Sequence, residues 1–426
     1  MGMMYQVTRL ENGLTVATAE MPHMASVSVG IWVGVGGRCE PAALSGISHF
    51  IEHLLFKGTK RRSARQISQA VEGIGGYLNA FTSEEHTCFY AKARHDRLEE
   101  LLDVLTDMFL HSTFDPVELA KEREVIKEEL AMFLDQPQQY VQELLNATLW
   151  PGQPLGRSIT GTEKTLDAIS REQIVDFQRK HYGASAVVIA AAGRLKHRQV
   201  LKALAAYAAK FWPGPRPPFA PATAAQTKPV ARLHTKKTEQ TQIAFGLRAC
   251  SRHHPRRFAL RLLNAVLGEN MSSRLFQTVR EDHGLAYSIY SANSFFDDTG
   301  DLVISAGLDP ANLEKTLKII VRELKRLTRQ PVPAAELARA RDYLLGQLDL
   351  SLENSENQMM WIGEQWLGYG KILPPGRVKQ RLSQVTPADV RSAAREFIRP
   401  EQFNLALVSP LKSCRRVDKL LAAQAW

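Results

Sequence analysis

The sequence has few cysteines and no cysteine motif. The four cysteines, Cys39, Cys88, Cys250 and Cys414, are separated by long gaps and form no CxxC pair. This spacing is atypical of a disulfide framework or of a cysteine zinc site, and it favours free thiols in a reducing compartment. We therefore expect neither disulfides nor thiolate metal ligands in this chain.

The sequence also lacks a long apolar run. Ala186–Ala192 is among the longest, whereas a membrane-spanning helix needs ~20 apolar residues. The first residues, MGMMYQVTRLENGLTV, contain no apolar core of the kind found in a secretory signal. We expect no membrane partner and a cytoplasmic location.

Positive charge is in modest excess. Lys and Arg number 54 and Asp and Glu 44, which gives a net charge of +10. Such a balance can indicate a nucleic-acid partner. Because the basic residues are spread along the chain, a solvated basic surface is the preferred interpretation, and no nucleic-acid partner is expected.

Two halves of the chain carry similar patterns on either side of a proline-rich segment. That segment, Pro213–Pro229, disfavours regular helix and strand. Ser26–Pro41 and Gln240–Pro255 are both alternating apolar strands that end in a proline turn, 214 positions apart. Leu98 and Leu313 begin similar helical patterns at an offset of 215. A near-constant offset indicates an internal duplication with about 200 residues in each unit.

Each half mixes strands and helices, which predicts an α+β fold. Period-two alternation predicts strands, and apolar spacing of three and four predicts helices. The strands are expected at Leu14–Val33 and Tyr77–Ala93, and the helices at Ala43–Phe56, Ser63–Ile74, Leu98–Leu110 and Val117–Phe133.

The predicted architecture is two homologous domains, each a largely antiparallel sheet with helices packed on it. The predicted boundaries are 1–212 for the first domain, 213–229 for a linker and 230–426 for the second domain.

One motif contains side chains that can carry out chemistry. It is H-x-x-E-H, formed by His49, Glu52 and His53. On a helix, His49 and His53 share one face a turn apart, where two imidazoles can bind one metal ion. Glu52 lies on nearly the same face and can act on a water without being a ligand. H-x-x-E-H is the inverzincin pattern. A structural histidine pair is the alternative, and the neighbouring carboxylates argue against it.

A catalytic zinc site needs a third protein ligand. The acidic segment Lys121–Leu130 offers Glu122 and Glu129, seven positions and so two helical turns apart on one face. Glu129 is the candidate third ligand. Glu122 is a candidate to accept a hydrogen bond from the ring nitrogen of a histidine ligand that does not bind the metal. The alternative is that Glu122 is a solvated charge on the helix. Glu128 lies off that face and is expected at the surface.

The sequence resembles the pitrilysin-type (M16) zinc metallopeptidases, and most of all their mitochondrial-processing-peptidase-like bacterial branch. Glu129 lies 76 positions after His53, at the spacing of that family's glutamate ligand. Further stretches that resemble the family are Leu10–Val16, His53–Thr59, Leu78–Ser83, Pro154–Arg157, Met271–Phe276 and Val279–Tyr287.

The resemblance implies a role for each matched residue. His49, His53 and Glu129 would hold Zn²⁺, and Glu52 would take a proton from water. Arg280 and Tyr287 would contact the substrate backbone near the scissile bond. An edge strand containing Asn79, Ala80, Phe81 and Thr82 would pair with an extended peptide.

The second half carries no copy of the motif. At an offset of 214, His49, Glu52 and His53 correspond to Leu263, Val266 and Leu267, and at an offset of 218, Glu129 corresponds to Gln347. Because these side chains cannot bind zinc, one metal ion per chain is expected.

The predicted function is a zinc endopeptidase for short or unfolded peptides, and the resemblance to the family implies that it acts inside a clamshell chamber. A homodimer is the expected assembly, and a heterodimer with a related chain stays open. The alternative is a non-catalytic scaffold subunit of a related heteromeric complex.

Overall fold

The computed structural model describes residues 5–423, which contain eleven strands and fifteen α-helices. The strands are β1 (Tyr5–Arg9), β2 (Thr15–Glu20), β3 (Ser26–Val33), β4 (Tyr77–Thr82), β5 (Thr87–Arg94), β6 (Val187–Gly193), β7 (Val230–Thr235), β8 (Thr241–Ala249), β9 (Ala286–Phe295), β10 (Gly300–Leu308) and β11 (Asn404–Ser409).

The helices follow the apolar periodicity expected of them. They are α1 (Ile47–Leu55), α2 (Ala64–Glu72), α3 (Leu98–His111), α4 (Pro116–Asp135), α5 (Pro137–Leu149), α6 (Glu163–Ala168), α7 (Arg171–His181), α8 (His197–Ala208), α9 (Arg257–Leu267), α10 (Leu313–Arg329), α11 (Ala334–Ser351), α12 (Ser355–Tyr369), α13 (Pro375–Ser383), α14 (Pro387–Phe397) and α15 (Arg415–Ala422). The predicted strands and helices of the first half are all present, within a few residues of their expected ends.

The chain forms two compact units, each built on one sheet. The first unit comprises the residues up to Ala131, Arg157–Ala220 and Asp349–Leu373. The second comprises Met132–Gly156, Pro221–Leu348 and the residues from Pro374 on.

The first sheet has the strand order β1-β2-β6-β3-β5-β4, and the second has β7-β11-β8-β10-β9. In each sheet one pair is parallel, β2–β6 and β7–β11, and the other pairs are antiparallel. Without β1, the two orders correspond strand for strand. The predicted α+β class and duplication are therefore confirmed.

Each sheet has helices on both faces, and one covering helix in each unit comes from the other half of the chain. In the first unit, α1 and α3 pack on one face, while α12 packs on the other face against β2, β3 and β6. In the second unit, α5 packs against β8 and β11. A sheet face left open would expose apolar side chains, which is the physical reason for this arrangement. The compact units thus depart from the predicted boundaries 1–212 and 230–426 at residues 132–156 and 349–373.

Helix α12 packs closely against the first sheet. The Oγ of Ser355 lies 3.0 Å from that of Ser26 and 2.9 Å from that of Ser28. The indole N–H of Trp32 donates to the sulfur of Met359 at 3.3 Å. Both Trp32 and Met359 are fully buried. These contacts fix the register of α12 on the sheet.

Candidate metal centre

Helix α1 is anchored at its N-terminus by a buried carboxylate. The side chain of Glu40 accepts hydrogen bonds from the backbone N–H groups of Gly46, at 2.8 Å, and Ser48, at 2.9 Å. These groups belong to the first turn, where backbone donors lack helical partners. Gly46 has a φ of +95°, a conformation that favours glycine. Burial raises the pKa of Glu40 to about 7, against the lowering effect of these hydrogen bonds.

The helical spacing of α1 separates its core face from its chemical face. The buried face carries Ile47, Ser48, Phe50, Ile51, Leu54 and Leu55. His49, Glu52 and His53 lie on the other side and are partly exposed. The ring centroids of His49 and His53 are 4.6 Å apart. The sequence motif therefore forms two neighbouring imidazoles, one helical turn apart, with a carboxylate beside them.

Helix α4 brings two carboxylates to this face. Oε2 of Glu129 lies 3.9 Å from Nε2 of His49 and 3.6 Å from Nε2 of His53. Oε2 of Glu122 lies 3.1 Å from Nδ1 of His53. Glu122 is buried, with 5% of its surface exposed, whereas Glu128 is exposed. The two carboxylates thus meet opposite edges of one imidazole.

Three of these side chains fit the donor set of a zinc ion. His49, His53 and Glu129 each offer one ligand atom, and these atoms lie within 4.8 Å of one another. Ligand atoms at about 2.0–2.2 Å from a tetrahedral zinc are about 3.3–3.6 Å apart. The observed 3.6 and 3.9 Å separations are within a few tenths of an ångström of that range. Within residues 5–423 no other group of three or more such side chains converges in this way.

The electrostatics also suit metal binding. Burial, reinforced by the neighbouring His53, lowers the pKa of His49 to about 3, so that its imidazole is neutral at physiological pH. A neutral imidazole is the form that binds a metal ion. Nδ1 of His49 is buried and has no hydrogen-bond partner in the described part of the chain. Nε2 is the atom that faces Glu129.

Glu52 lies beside the three candidate ligands without being one of them. Burial raises the pKa of its carboxyl group, and a hydrogen bond from Thr82 opposes that rise. The hydroxyl of Thr82 donates to Oε2 of Glu52 at 2.6 Å. The charge of His53 lowers the pKa of Glu52 and the charge of Glu129 raises it, so the three side chains interact electrostatically.

Lys57 is a residue of this site that the sequence analysis did not single out. Its Nζ lies 2.8 Å from Oε1 of Glu122, the carboxylate that contacts His53. Lys57 lies two residues beyond the end of α1. Helix periodicity therefore gave no signal for it, and the packed fold brings it to Glu122. Glu40 was also missed, although it precedes the first turn of α1 by a few residues.

The strand β4, which contains Asn79, Ala80, Phe81 and Thr82, lies at the edge of the first sheet, with β5 as its neighbour. The backbone N–H of Ala80 bonds to the side-chain oxygen of Asn79 at 2.8 Å. Phe81 packs edge-on against Trp32, with ring centroids 5.6 Å apart, on the face that α12 covers. Among residues 5–423 no strand other than β5 pairs with β4, and peptide pairing requires such an edge.

Arg280 and Tyr287 lie together in the second unit. Arg280 belongs to a π-helical turn, Phe276–Asp282, and its guanidinium carbon is 5.6 Å from the ring centroid of Tyr287. Tyr287, on the edge strand β9, is 79% exposed. Their part in substrate contact stays a prediction.

The second unit has apolar residues where the first has the motif. Leu263, Val266 and Leu267 lie on α9 and are buried in the core of that unit. Gln347 is on α11 and is exposed. The described part of this unit thus offers no counterpart of the metal centre.

Two family models match consecutive parts of the chain. The family model "Insulinase (Peptidase family M16)" matches residues 15–163, and "Peptidase M16 inactive domain" matches residues 168–344. The chain belongs to peptidase family M16.

Similar proteins span nearly the whole chain. An uncharacterized zinc protease of Streptomyces coelicolor is 39% identical over 95% of this chain and 89% of its own length. The uncharacterized zinc protease YmxG of Bacillus subtilis is 38% identical over 94% of this chain and 97% of its own. A protease from Helicobacter pylori has the same fold, with a TM-score of 0.90 and 21% identity, over 96% of this chain and all of that one. No helix in residues 5–423 has the length and hydropathy to cross a membrane.

Proposed function

We propose that this protein is a zinc-dependent endopeptidase that cleaves short or unfolded peptides, with one zinc ion per chain. The observation that carries the proposal is the convergence of His49, His53 and Glu129 beside Glu52. The names of the related zinc proteases support the same chemistry.

Zinc, when bound, would polarise the peptide carbonyl and lower the pKa of a water molecule at the site. His49 and His53 would hold it through Nε2, and Glu129 through a carboxylate oxygen. Glu122 would keep His53 in the tautomer that carries the proton on Nδ1, because a carboxylate at 3.1 Å accepts that proton's hydrogen bond.

Glu52 would perform the proton transfers. It would accept a proton as the water oxygen bonds to the carbonyl carbon, and deliver that proton to the amide nitrogen as the C–N bond breaks. Arg280 and Tyr287 would contact the substrate backbone and stabilise negative charge on the carbonyl oxygen. The substrate would lie extended along β4, paired through its backbone.

The proposed working assembly is a homodimer enclosing a chamber that admits unfolded chains. Both the zinc ligands and the Arg280–Tyr287 pair are in one polypeptide, which favours identical subunits. A heterodimer with a related chain is the second form.

The test is mass spectrometry of a pool of unstructured peptides incubated with wild type, wild type plus chelator, and Glu52→Gln. The proposal predicts cleavage by wild type alone, with a loss of at least about 10²-fold in rate for Glu52→Gln. Glu52→Gln is expected to retain its zinc. Full activity of Glu52→Gln would refute the role of Glu52. Absence of both zinc and cleavage in wild type would favour the non-catalytic subunit.

A further inference from the structure

The hydroxyl of Thr82 joins the edge strand β4 to the carboxylate of Glu52. Thr82 is the last residue of β4, and its Oγ1 lies 2.6 Å from Oε2 of Glu52. The other acceptor near it is Oγ1 of Thr87, at 3.4 Å. A hydroxyl has one proton, and a charged oxygen at 2.6 Å is a far stronger acceptor than a neutral one at 3.4 Å. The hydroxyl of Thr82 therefore donates its hydrogen bond to Glu52.

The position of Thr82 is itself fixed by the sheet. Thr82 pairs with Thr87 of β5 in the antiparallel ladder. Thr87 is fully buried, and its hydroxyl donates to the carbonyl oxygen of Val35 at 3.0 Å. Thr82 thus pairs with a buried, hydrogen-bonded neighbour, and no strand within residues 5–423 pairs with the other side of β4.

From this geometry we infer that Thr82 is a positioning residue for Glu52, and that it links peptide pairing on β4 to the orientation of the general base. The inference rests on the proposed endopeptidase function. By donating to Oε2, the hydroxyl restrains the orientation of the carboxylate and leaves Oε1 without this hydrogen bond. A peptide that adds to β4 as a strand restrains the backbone of Thr82, and so restrains the carboxylate that Thr82 holds.

This arrangement separates two functions within one strand. Residues earlier in β4 present their backbone to the peptide, whereas Thr82 acts on the catalytic group. Loss of the hydroxyl should therefore lower kcat and leave KM almost unchanged, because the peptide still pairs while the base is poorly oriented. Loss of strand pairing would instead raise KM.

The experiment compares wild type with Thr82→Val, Thr82→Ser and Thr18→Val on one cleaved peptide, with zinc content measured for each. Thr82→Val keeps the shape of the side chain and removes the hydroxyl. It should lower kcat about ten- to hundredfold, the range for loss of an outer hydrogen-bond partner of a metal site. KM and zinc content should stay near the wild-type values, and Thr82→Ser should restore most of kcat.

Thr18→Val is the matched control, because Thr18 is a buried strand threonine of the same sheet, with its hydroxyl 2.9 Å from Nδ1 of His197. It lies on β2, four strands away from β4, and should leave kcat unchanged. Wild-type kcat in Thr82→Val, or an equal fall in Thr18→Val, would overturn the inference while the endopeptidase stands. Failure of wild type to cleave any peptide would overturn the proposed function and the inference with it.

Discussion

Nδ1 of His53 lies 3.1 Å from Oε2 of Glu122, on the side of the ring opposite to Glu129. One helix, α4, thus supplies both a candidate ligand and the group that orients another ligand. The seven-residue spacing between Glu122 and Glu129 makes this possible, because it brings both carboxylates to one helix face. The contact fixes the ring of His53 with Nε2 directed towards the metal centre.

Replacement of Glu122 should weaken zinc binding. Glu122→Gln removes the charge that stabilises the Nδ1–H donor of His53, and we expect zinc affinity to fall about 10–100-fold. The measurement is competition for zinc against a chromophoric chelator. Glu128→Gln is the control, since Glu128 is an exposed carboxylate on the same helix. Equal affinities in the two variants would show that Glu122 does not act on the site.

Lys57 should act on zinc through Glu122. Its Nζ holds Oε1 of Glu122 at 2.8 Å and so orients Oε2 towards His53. Lys57→Met should weaken zinc binding less than Glu122→Gln does. In the background of Glu122→Gln it should have almost no further effect, because the two residues act in one chain of contacts. The exposed Lys60 provides a control in Lys60→Met. Additive effects in the double variant would contradict this account.

Glu40 should make the stability of the protein depend on pH. Its pKa in the folded state is about 7, above the ordinary value of 4.5. The folded state therefore binds more protons than the unfolded state between about pH 4.5 and 7, and the contribution of Glu40 to the free energy of unfolding falls as pH rises through that window. Glu40→Gln lacks this titration.

Urea unfolding with chelator present, at several pH values between about 5 and 7, measures the effect. The free energy of unfolding of wild type should decline relative to that of Glu40→Gln as pH rises. Parallel pH profiles would show that Glu40 does not titrate in this range.

Gly363 should be intolerant of a side chain. A Cβ at this position would overlap the indole ring of Trp32, which is fully buried beneath α12. Gly363→Ala should destabilise the protein by about 1–3 kcal/mol through overpacking. The control is Gly346→Ala on α11, where a Cβ meets no atom within 4 Å and should stabilise the helix by about 0.5–1 kcal/mol. Thermal unfolding of both variants compares them, and similar stabilities would contradict the close packing of α12.

Local pattern was enough to predict most of this fold. The alternation of Leu14–Val33 became β2 and β3, and the i, i+3, i+4 spacing of His49, Glu52 and His53 placed these residues on one side of α1. The offset between Leu98 and Leu313 matches the first residues of α3 and α10. These features depend on neighbours close in sequence, so that periodicity reveals them.

The long-range features could not be predicted in the same way. The packing of α12 against Trp32 joins residues more than 300 positions apart, and no local pattern specifies which sheet a helix covers. The contact between Thr82 and Glu52 depends on the distance from an edge strand to α1 after both have packed. Sequence pattern identified the residue types at this site, and the packed fold supplied their partners.

The most direct test of the central claim is a titration of metal-free protein with zinc, following cleavage of one peptide and the bound metal together. The account predicts that wild-type activity rises to a plateau at one zinc per chain. Glu129→Ala should bind zinc far more weakly and recover no activity at that ratio, whereas Glu128→Ala should behave as wild type. Cleavage by the metal-free protein, or wild-type zinc binding and activity in Glu129→Ala, would contradict the account.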